Sequence, residues 1–230
     1  MEGYQGAVKA VMREAGRGAL RGIHGPLSQL ISVKPKYSVA IETALGAAIQ
    51  NIVTDNENDA KRGIQFLKES RAGRATFLPI SAIRARALNE NGLDDQYGFV
   101  SIASDLVSCD RQYTEIIRAE LGRTVVGEDM DAAIAIAKRY NHRFRIVTLD
   151  GQIMNAGGSM TGGSRTQNAG ILSRGNEIEK LKTALQAAET ELRGMESDHK
   201  LFTEDLAAAR ADLEGAQGDL LRANEEKIRC

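Results

Sequence analysis

The sequence has little of several residue types that define common classes of protein. Its 230 residues include two cysteines, three prolines, no tryptophan and only 4% aromatic residues. Two cysteines, Cys109 and Cys230, cannot form a disulfide framework or a four-cysteine zinc site, so we expect no metal and no cofactor in this chain. Few aromatic residues beside 23 glycines disfavour a sandwich of short strands and favour helices joined by glycine-dependent turns.

Long hydrophobic runs are missing as well. The sequence contains no run of about 18 apolar residues, and residues 1–12 lack the apolar core of a signal peptide. Hydrophobic residues make up 42% and charged residues 27%, close to the averages for globular proteins. We therefore expect a soluble, cytoplasmic protein that does not contact a membrane.

Charge is distributed unevenly along the chain. Residues 177–230 carry 13 acidic and 8 basic residues, whereas residues 1–176 carry 18 acidic and 22 basic residues. The mildly basic body permits weak contact with a polyanion, but it lacks the large basic excess of a dedicated nucleic-acid binder. A general DNA-binding module therefore stays one alternative interpretation.

A change of composition marks a domain boundary. Glycine, serine and asparagine accumulate over residues 161–176, and hydrophobic periodicity stops there. We predict a domain at 1–165, a linker at 166–176 and a single strand of an antiparallel coiled coil at 177–230. Apolar residues of this last segment recur at alternating steps of three and four, which is typical of a heptad seam. The main seam positions are Ile178, Leu181, Leu185, Leu192, Phe202, Leu206 and Leu213.

So narrow an apolar stripe needs a partner helix, and the alternative is a terminal helix folded back on the body. The heptads continue to the last turn of the sequence. We therefore expect the chain to be a piece of a longer protein. Without the partner helix, we expect the tail to fray or to self-associate.

Inside the body, one sequence unit occurs twice. Residues 37–46 and 113–122 each begin with tyrosine, carry apolar residues at helical spacing and end in glycine. Each unit precedes a predicted strand, an acidic helix cap, a helix and a second strand. The pattern predicts an α/β (α+β) fold of two related halves, with lobe one at about 1–80, a connecting segment at 81–110 and lobe two at about 111–165. Further strands are predicted at 27–33 and, within the connecting segment, at 99–102.

The glycine-rich segment at 157–164 allows three interpretations. It nearly matches the phosphate-binding pattern G-x-x-x-x-G-K-[ST], but Gly163 takes the place of the lysine, and no capped helix follows at once. A small phosphate- or nucleotide-binding domain using Gly157–Ser164 is therefore an alternative. Paired glycines also let a second backbone approach closely, as pairing between exposed strand edges requires. The third interpretation is a flexible linker.

No set of catalytic residues is apparent in the sequence. His24 lies in a predicted turn without an evident acid or nucleophile partner, and Cys109 lacks neighbours that would lower the pKa of a thiol. Ser159 is not in a G-x-S-x-G elbow, because Thr161 replaces the second glycine. We therefore expect no enzymatic activity.

Several of these segments together resemble the hinge domain of a bacterial or archaeal SMC (structural maintenance of chromosomes) protein. The resemblance covers nearly all of residues 3–170. The motifs that carry it are GAVKAV at 6–11, GIHG at 22–25, the first repeated unit at 37–46, GRATFLP at 73–79, RIVTL at 145–149 and GGSMTGG at 157–163.

The resemblance implies a two-lobed domain that forms a homodimer through paired strands, with Gly157, Gly158, Gly162 and Gly163 at the interface. It implies a role in chromosome condensation and segregation at the nucleoid, and kleisin-type partners for the full-length protein. ATP and magnesium would bind only to head domains that this chain lacks. The resemblance also implies DNA contact by basic residues where the hinge leads into the coiled coil. This sequence has only Arg165 and Arg174 there, so we expect the contact to be weak.

Overall fold

The computed structural model describes residues 3–163 and 170–229. The chain divides into two compact units, Met1–Asn176 and Glu177–Cys230. The first unit mixes helices and strands, whereas the described residues of the second unit are entirely helical. The predicted α/β (α+β) class with a long C-terminal helix is therefore confirmed.

Most helices of the first unit are short. They are α1 (Gly6–Gly16), α2 (Leu27–Leu30), α3 (Ser38–Leu45), α4 (Glu57–Glu69), α5 (Thr114–Leu121) and α6 (Met130–Arg139). Helix α7 (Ile171–Arg229) begins in the first unit and forms the second. The strands are β1 (Ile23–Pro26), β2 (Ile31–Val33), β3 (Ile52–Thr54), β4 (Phe77–Pro79), β5 (Phe99–Ile102), β6 (Val107–Cys109), β7 (Thr124–Gly127), β8 (Arg145–Thr148), β9 (Ile153–Met154) and β10 (Met160–Thr161).

Two sheets share one topology. The first has the order β1-β3-β4, with β1 antiparallel and β4 parallel to β3. The second has the order β10-β9-β8-β7-β5, in which β5 is antiparallel and β8 parallel to β7. Strands β5, β7 and β8 therefore repeat the arrangement of β1, β3 and β4. The hairpin β9–β10 is an addition to the second sheet.

A two-stranded ribbon joins the two halves. Strand β2 pairs antiparallel with β6, and Ser32 lies opposite Ser108 at the centre. These serines occupy equivalent positions, because the sequence offset between them equals the offset between Tyr37 and Tyr113. Antiparallel pairing of equivalent residues places a local two-fold axis between the halves.

Side-chain caps explain where the two equivalent longer helices begin. The side chain of Asn56 accepts hydrogen bonds from the Asn58 and Asp59 N–H groups at the start of α4. The side chain of Asp129 accepts one from the Ala132 N–H group at the start of α6. Each cap pairs a backbone donor that the helix itself cannot satisfy, which stabilises such a helix by about 1 kcal/mol.

The largest hydrophobic core draws on both halves. It joins Ile41 and Leu78 from the first half to Ile116, Leu121 and Val147 from the second. Burial of each such side chain contributes about 1.5–3 kcal/mol relative to exposure. The halves therefore share a core and do not fold as two independent bodies.

The structure differs from the sequence-based expectation in three segments. The predicted strand at 27–33 is the helical turn α2 followed by β2, because the preceding residues already form β1. The predicted connecting segment at 81–110 contains the short strand predicted at 99–102, now β5, and also β6, which was not predicted; these strands belong to the second sheet and to the ribbon. The predicted linker at 166–176 is helical from Ile171, because Leu172 is buried in the shared core.

Candidate functional site

Among the residues that the structure describes, strand β10 is a free edge of the five-stranded sheet. Its one strand partner there is β9, with Met160 opposite Met154 and Thr161 opposite Ile153. The Asn155 N–H donates to the Ser159 carbonyl at 2.8 Å. Because hydrogen-bonded and non-hydrogen-bonded pairs alternate along an antiparallel ladder, Thr161 is the next residue of β10 that bonds to β9. The N–H and C=O groups of Met160 and Gly162 consequently point away from β9. Such unpaired backbone groups are a template for a strand of another chain.

Gly157 and Gly158 form the turn between β9 and β10. Their φ angles are +85° and +94°, in the region that residues with a side chain rarely adopt. The Gly157 N–H donates to the His142 carbonyl at 2.8 Å, and the Gly158 N–H donates to the Asn155 carbonyl at 3.0 Å. The structure thus gives these two glycines a role within the chain, in addition to the interface role that the family resemblance implies.

Gly162 is subject to a different constraint. Its φ is not in the positive region, and an added Cβ would lie 2.5 Å from Gln152 Oε1, the mobile end of a side chain. An alanine at this position therefore fits after a small movement of Gln152. Gly163 follows with a φ of +142° and no atom within 4 Å of an added Cβ. Both residues are exposed beside the β10 edge.

The first half has a free edge of its own. Within the described ranges, 3–163 and 170–229, strand β4 has β3 as its one strand partner, whereas its counterpart β8 is covered on the other side by β9. The Ile52 N–H donates to the Thr76 carbonyl, and the Ile80 N–H donates to the Thr54 carbonyl, so the backbone groups of Phe77 and Pro79 face away from β3. Proline at 79 suits an edge, since it has no N–H group to leave unpaired.

A cavity of about 320 Å³ separates the β9–β10 hairpin from the C-terminal end of α3. Beside it, Arg145 donates from Nη1 to the Ala44 carbonyl at 2.9 Å and from Nη2 to the Thr43 carbonyl at 3.2 Å. Burial lowers the pKa of Arg145. A cation is favourable at this helix end because the unpaired carbonyls carry partial negative charge. The cavity is lined by Glu42, Thr43, Gly46, Gly151, Ile153, Thr161, Gly162 and Gly163.

The remaining candidate residues have structural roles. His24 has a partner that the sequence did not reveal: Nε2 lies 2.8 Å from Asp55 Oδ1, and Nδ1 lies 3.0 Å from the Tyr113 hydroxyl. His24 therefore connects the two halves. Burial raises the pKa of the Cys109 thiol, which disfavours a reactive thiolate.

Segment 157–163 does not have the geometry of a phosphate-binding loop. It forms the hairpin turn and β10, whereas such a loop leads directly into a helix N-terminus. Ser164, the last residue of that motif, lies outside the described residues. Within residues 3–163 and 170–229, no cluster of three or more potential metal ligands occurs. No helix among the same residues is long and apolar enough to cross a membrane.

The two arginines assigned to DNA contact are not tested by the structure. Arg165 lies outside the described residues, and Arg174 lies in α7 with its side chain outside the described part.

The predicted coiled-coil seam consists of large apolar side chains that are exposed on α7. Leu181 is 63% exposed and Phe202 is 73% exposed. Ile178, Leu185, Leu192, Leu206 and Leu213 are exposed in the same way.

The chain is similar to known proteins over most of its length. It is 42% identical over 201 residues to the chromosome partition protein Smc of Bacillus subtilis (strain 168), which covers 86% of this chain and 17% of that protein. The chromosome partition protein Smc of Halothermothrix orenii is 40% identical over 185 residues, with 79% and 15% covered. The chain thus spans less than a fifth of the length of these relatives.

Solved structures give the same result. The SMC hinge domain of Geobacillus stearothermophilus, crystallised as an asymmetric dimer, is 44% identical, with a TM-score of 0.74 over 82% of this chain and 76% of that chain. The Pyrococcus furiosus Smc hinge domain with an extended coiled coil is 28% identical, with a TM-score of 0.59 over 92% and 77%. A family model described as the SMC proteins flexible hinge domain matches residues 20–137. The chain therefore belongs to the SMC hinge domain family.

Proposed function

We propose that this chain is a homodimerisation module that joins two coiled-coil arms of a chromosome partition protein. The observation that carries this proposal is the pair of complementary free edges, β10 in the second half and β4 in the first. Each chain offers both edges, so two chains related by a two-fold axis can make two identical β10–β4 contacts. The Geobacillus stearothermophilus SMC hinge domain, a member of the same family, crystallised as a dimer, which supports this arrangement.

The exposed seam of α7 supports the second part of the proposal. Large apolar residues at heptad spacing on an exposed helix are typical of a coiled coil. We infer that an antiparallel helix from the same full-length protein covers this seam. We propose that the full-length protein binds kleisin-type subunits and acts in chromosome segregation at the nucleoid.

Substitution of one edge residue tests the dimer. Met160→Pro removes an N–H group that points away from β9, so it should block pairing with a second chain and leave the hairpin intact. Met160→Ala is the matched control, because it shortens the same exposed side chain and keeps the N–H group. In sedimentation equilibrium of the full chain, we expect wild type and Met160→Ala to be dimers and Met160→Pro to dissociate.

A second control separates the edge from the helix. The variant carrying Leu185→Lys and Leu192→Lys places charges in the seam of α7, so it removes association through that helix. We expect it to remain a dimer. A monomeric wild type at tens of micromolar, or a Met160→Pro variant that stays dimeric, contradicts the proposal.

We further propose that this part of the protein neither catalyses a reaction nor binds ATP or magnesium, which belong to the head domains. We propose only weak DNA contact, through Arg165 and Arg174. Strong binding requires more Lys and Arg side chains to neutralise DNA phosphates than the start of the coiled coil has here. Addition of ATP with magnesium should leave the melting temperature of the chain unchanged. Duplex DNA should bind no more tightly than about micromolar, well short of a specific DNA-binding protein.

A further inference from the structure

The start of α7 is attached to the rest of the first unit by a distant side chain. Glu42 Oε1, at the end of α3, accepts a hydrogen bond from the Ile171 N–H at 2.7 Å. Ile171 is the first residue of α7, and the first N–H groups of a helix have no acceptor within it. A carboxylate there satisfies one donor and stabilises the positive end of the helix dipole. Glu42 is thus a helix cap supplied from a remote part of the chain.

Two neighbouring residues are adapted to this contact. A Cβ at Gly170 would collide with both carboxylate oxygens of Glu42, so any larger residue displaces the cap. Leu172 is 8% exposed and packs in the core shared by the two halves. Among the described contacts, the first turn of α7 is held by this hydrogen bond, by the buried Leu172 and by Ile171, which packs against the same core.

The same carboxylate group borders the proposed dimer edge. Glu42 lines the cavity of about 320 Å³ together with Thr161, Gly162 and Gly163, which lie at and beyond the end of β10. Thr161 and Gly162 are exposed, so water reaches this cavity in a single chain. A second chain paired along β10 would cover the exposed side and exclude part of that water. A hydrogen bond becomes stronger where water competes less for its acceptor.

We propose that Glu42 is a positioning residue that connects the β10 edge to the first turn of α7, so that dimer contact and the start of the helix stabilise each other. This inference rests on the proposed function, because it assumes that a second chain covers β10. Thermodynamic linkage requires the effect to be reciprocal. If dimerisation protects the first turn of α7 in each chain by some factor, loss of the Glu42 cap from both chains weakens the dimer by the square of that factor.

Hydrogen–deuterium exchange at the Ile171 amide and the dimer dissociation constant test this on the full chain. We expect the amide to exchange about fivefold more slowly in the wild-type dimer than in Met160→Pro, the factor that corresponds to a typical helix cap. Glu42→Ala should remove this difference and raise the dissociation constant by about 25-fold, the square of that factor, because both chains of the dimer lose the cap. Glu42→Gln keeps an acceptor oxygen and should restore part of both effects.

The matched control is Glu115→Ala. Glu115 also accepts a backbone hydrogen bond, from the Ala85 N–H at 3.2 Å, but it lies on α5 and its bond leads to the segment after β4 and not to Ile171. It should change neither quantity. Gly170→Ala leaves Glu42 in place and displaces its carboxylate group, so it should reproduce Glu42→Ala and provides a second route if that variant does not fold.

The outcomes separate the inference from the proposed function. A wild-type dimer whose Ile171 exchange and dissociation constant are the same in Glu42→Ala and Gly170→Ala overturns the inference and leaves the dimer intact. A monomeric wild type overturns the proposed function and the coupling together.

Discussion

Alanine substitution should separate the glycines of the β9–β10 hairpin into two functional groups. Gly157 and Gly158 have φ angles of +85° and +94°. A residue with a Cβ costs about 1–2 kcal/mol in such a left-handed conformation. Part of this, about 0.4–1 kcal/mol, is offset because alanine also restricts the unfolded chain. Each alanine should therefore lower the free energy of unfolding by about 1 kcal/mol.

Steric contacts add little to that value at Gly158. A Cβ there would lie 3.6 Å from the His142 ring, which is an ordinary van der Waals distance. The expected loss of about 1 kcal/mol corresponds to a decrease in melting temperature of about 2–4 °C for a unit of this size. Gly162→Ala has no positive φ to accommodate, so its effect on unfolding should stay within about 0.5 kcal/mol. It should instead weaken the dimer.

Tyrosine fluorescence during urea unfolding provides the assay. All five tyrosines lie in residues 1–176 and tryptophan is absent, so the signal reports on the first unit without a contribution from α7. Sedimentation equilibrium then gives the dissociation constant of each variant. The reasoning fails if Gly157→Ala and Gly158→Ala weaken the dimer with unchanged unfolding free energy, or if Gly162→Ala is the most destabilising of the three.

Three further substitutions test contacts within the first unit. Gly22→Ala should lower the unfolding free energy by more than about 2 kcal/mol, because its φ of +71° is unfavourable and its Cβ would collide with the buried Asp59 carboxylate; urea unfolding measures this. Arg145→Met should cost about 1–3 kcal/mol in the same assay, because two carbonyls at the end of α3 lose their donor. The Thr148 hydroxyl lowers the pKa of Asp150, so NMR titration should show that pKa returning upward in Thr148→Val. In wild type, Asp150 stabilises the fold at pH values above the ordinary aspartate pKa, and this stabilisation disappears as the pH falls through the lowered pKa of the folded state. The free energy of unfolding should therefore depend less on pH in Thr148→Val.

Local patterns were sufficient to predict the elements that depend on neighbouring residues. The caps before α4 and α6 could be located because a cap and its helix are adjacent in sequence. Asp129 is the acidic cap predicted for α6, whereas α4 is capped by Asn56, which lies within the predicted acidic stretch 55–59. The repeated unit was detected from residues 37–46 and 113–122. The repeat is longer in the structure, since β5 matches β1 in topology although the two strands have little sequence in common. The pairing of β5 with β7 determines its role, and no local pattern encodes that pairing.

The candidate site divides in the same way. Its glycines were identified from the sequence, but only the backbone geometry distinguishes the turn at Gly157 from the open edge at Gly162. The β4 edge was not predicted, because its availability depends on the absence of a strand equivalent to β9 in the first sheet, among the residues that the structure describes.

The sequence by itself determined the α/β class, the doubled unit and the heptad seam of α7, because these depend on periodicity and on short-range chemistry. Tertiary structure alone decided three features: the contact of Glu42 with Ile171, the contact of His24 with Asp55 and Tyr113, and the start of α7 within a segment of linker composition. The physical reason is that each depends on groups that are distant in sequence and meet only when the first unit is folded.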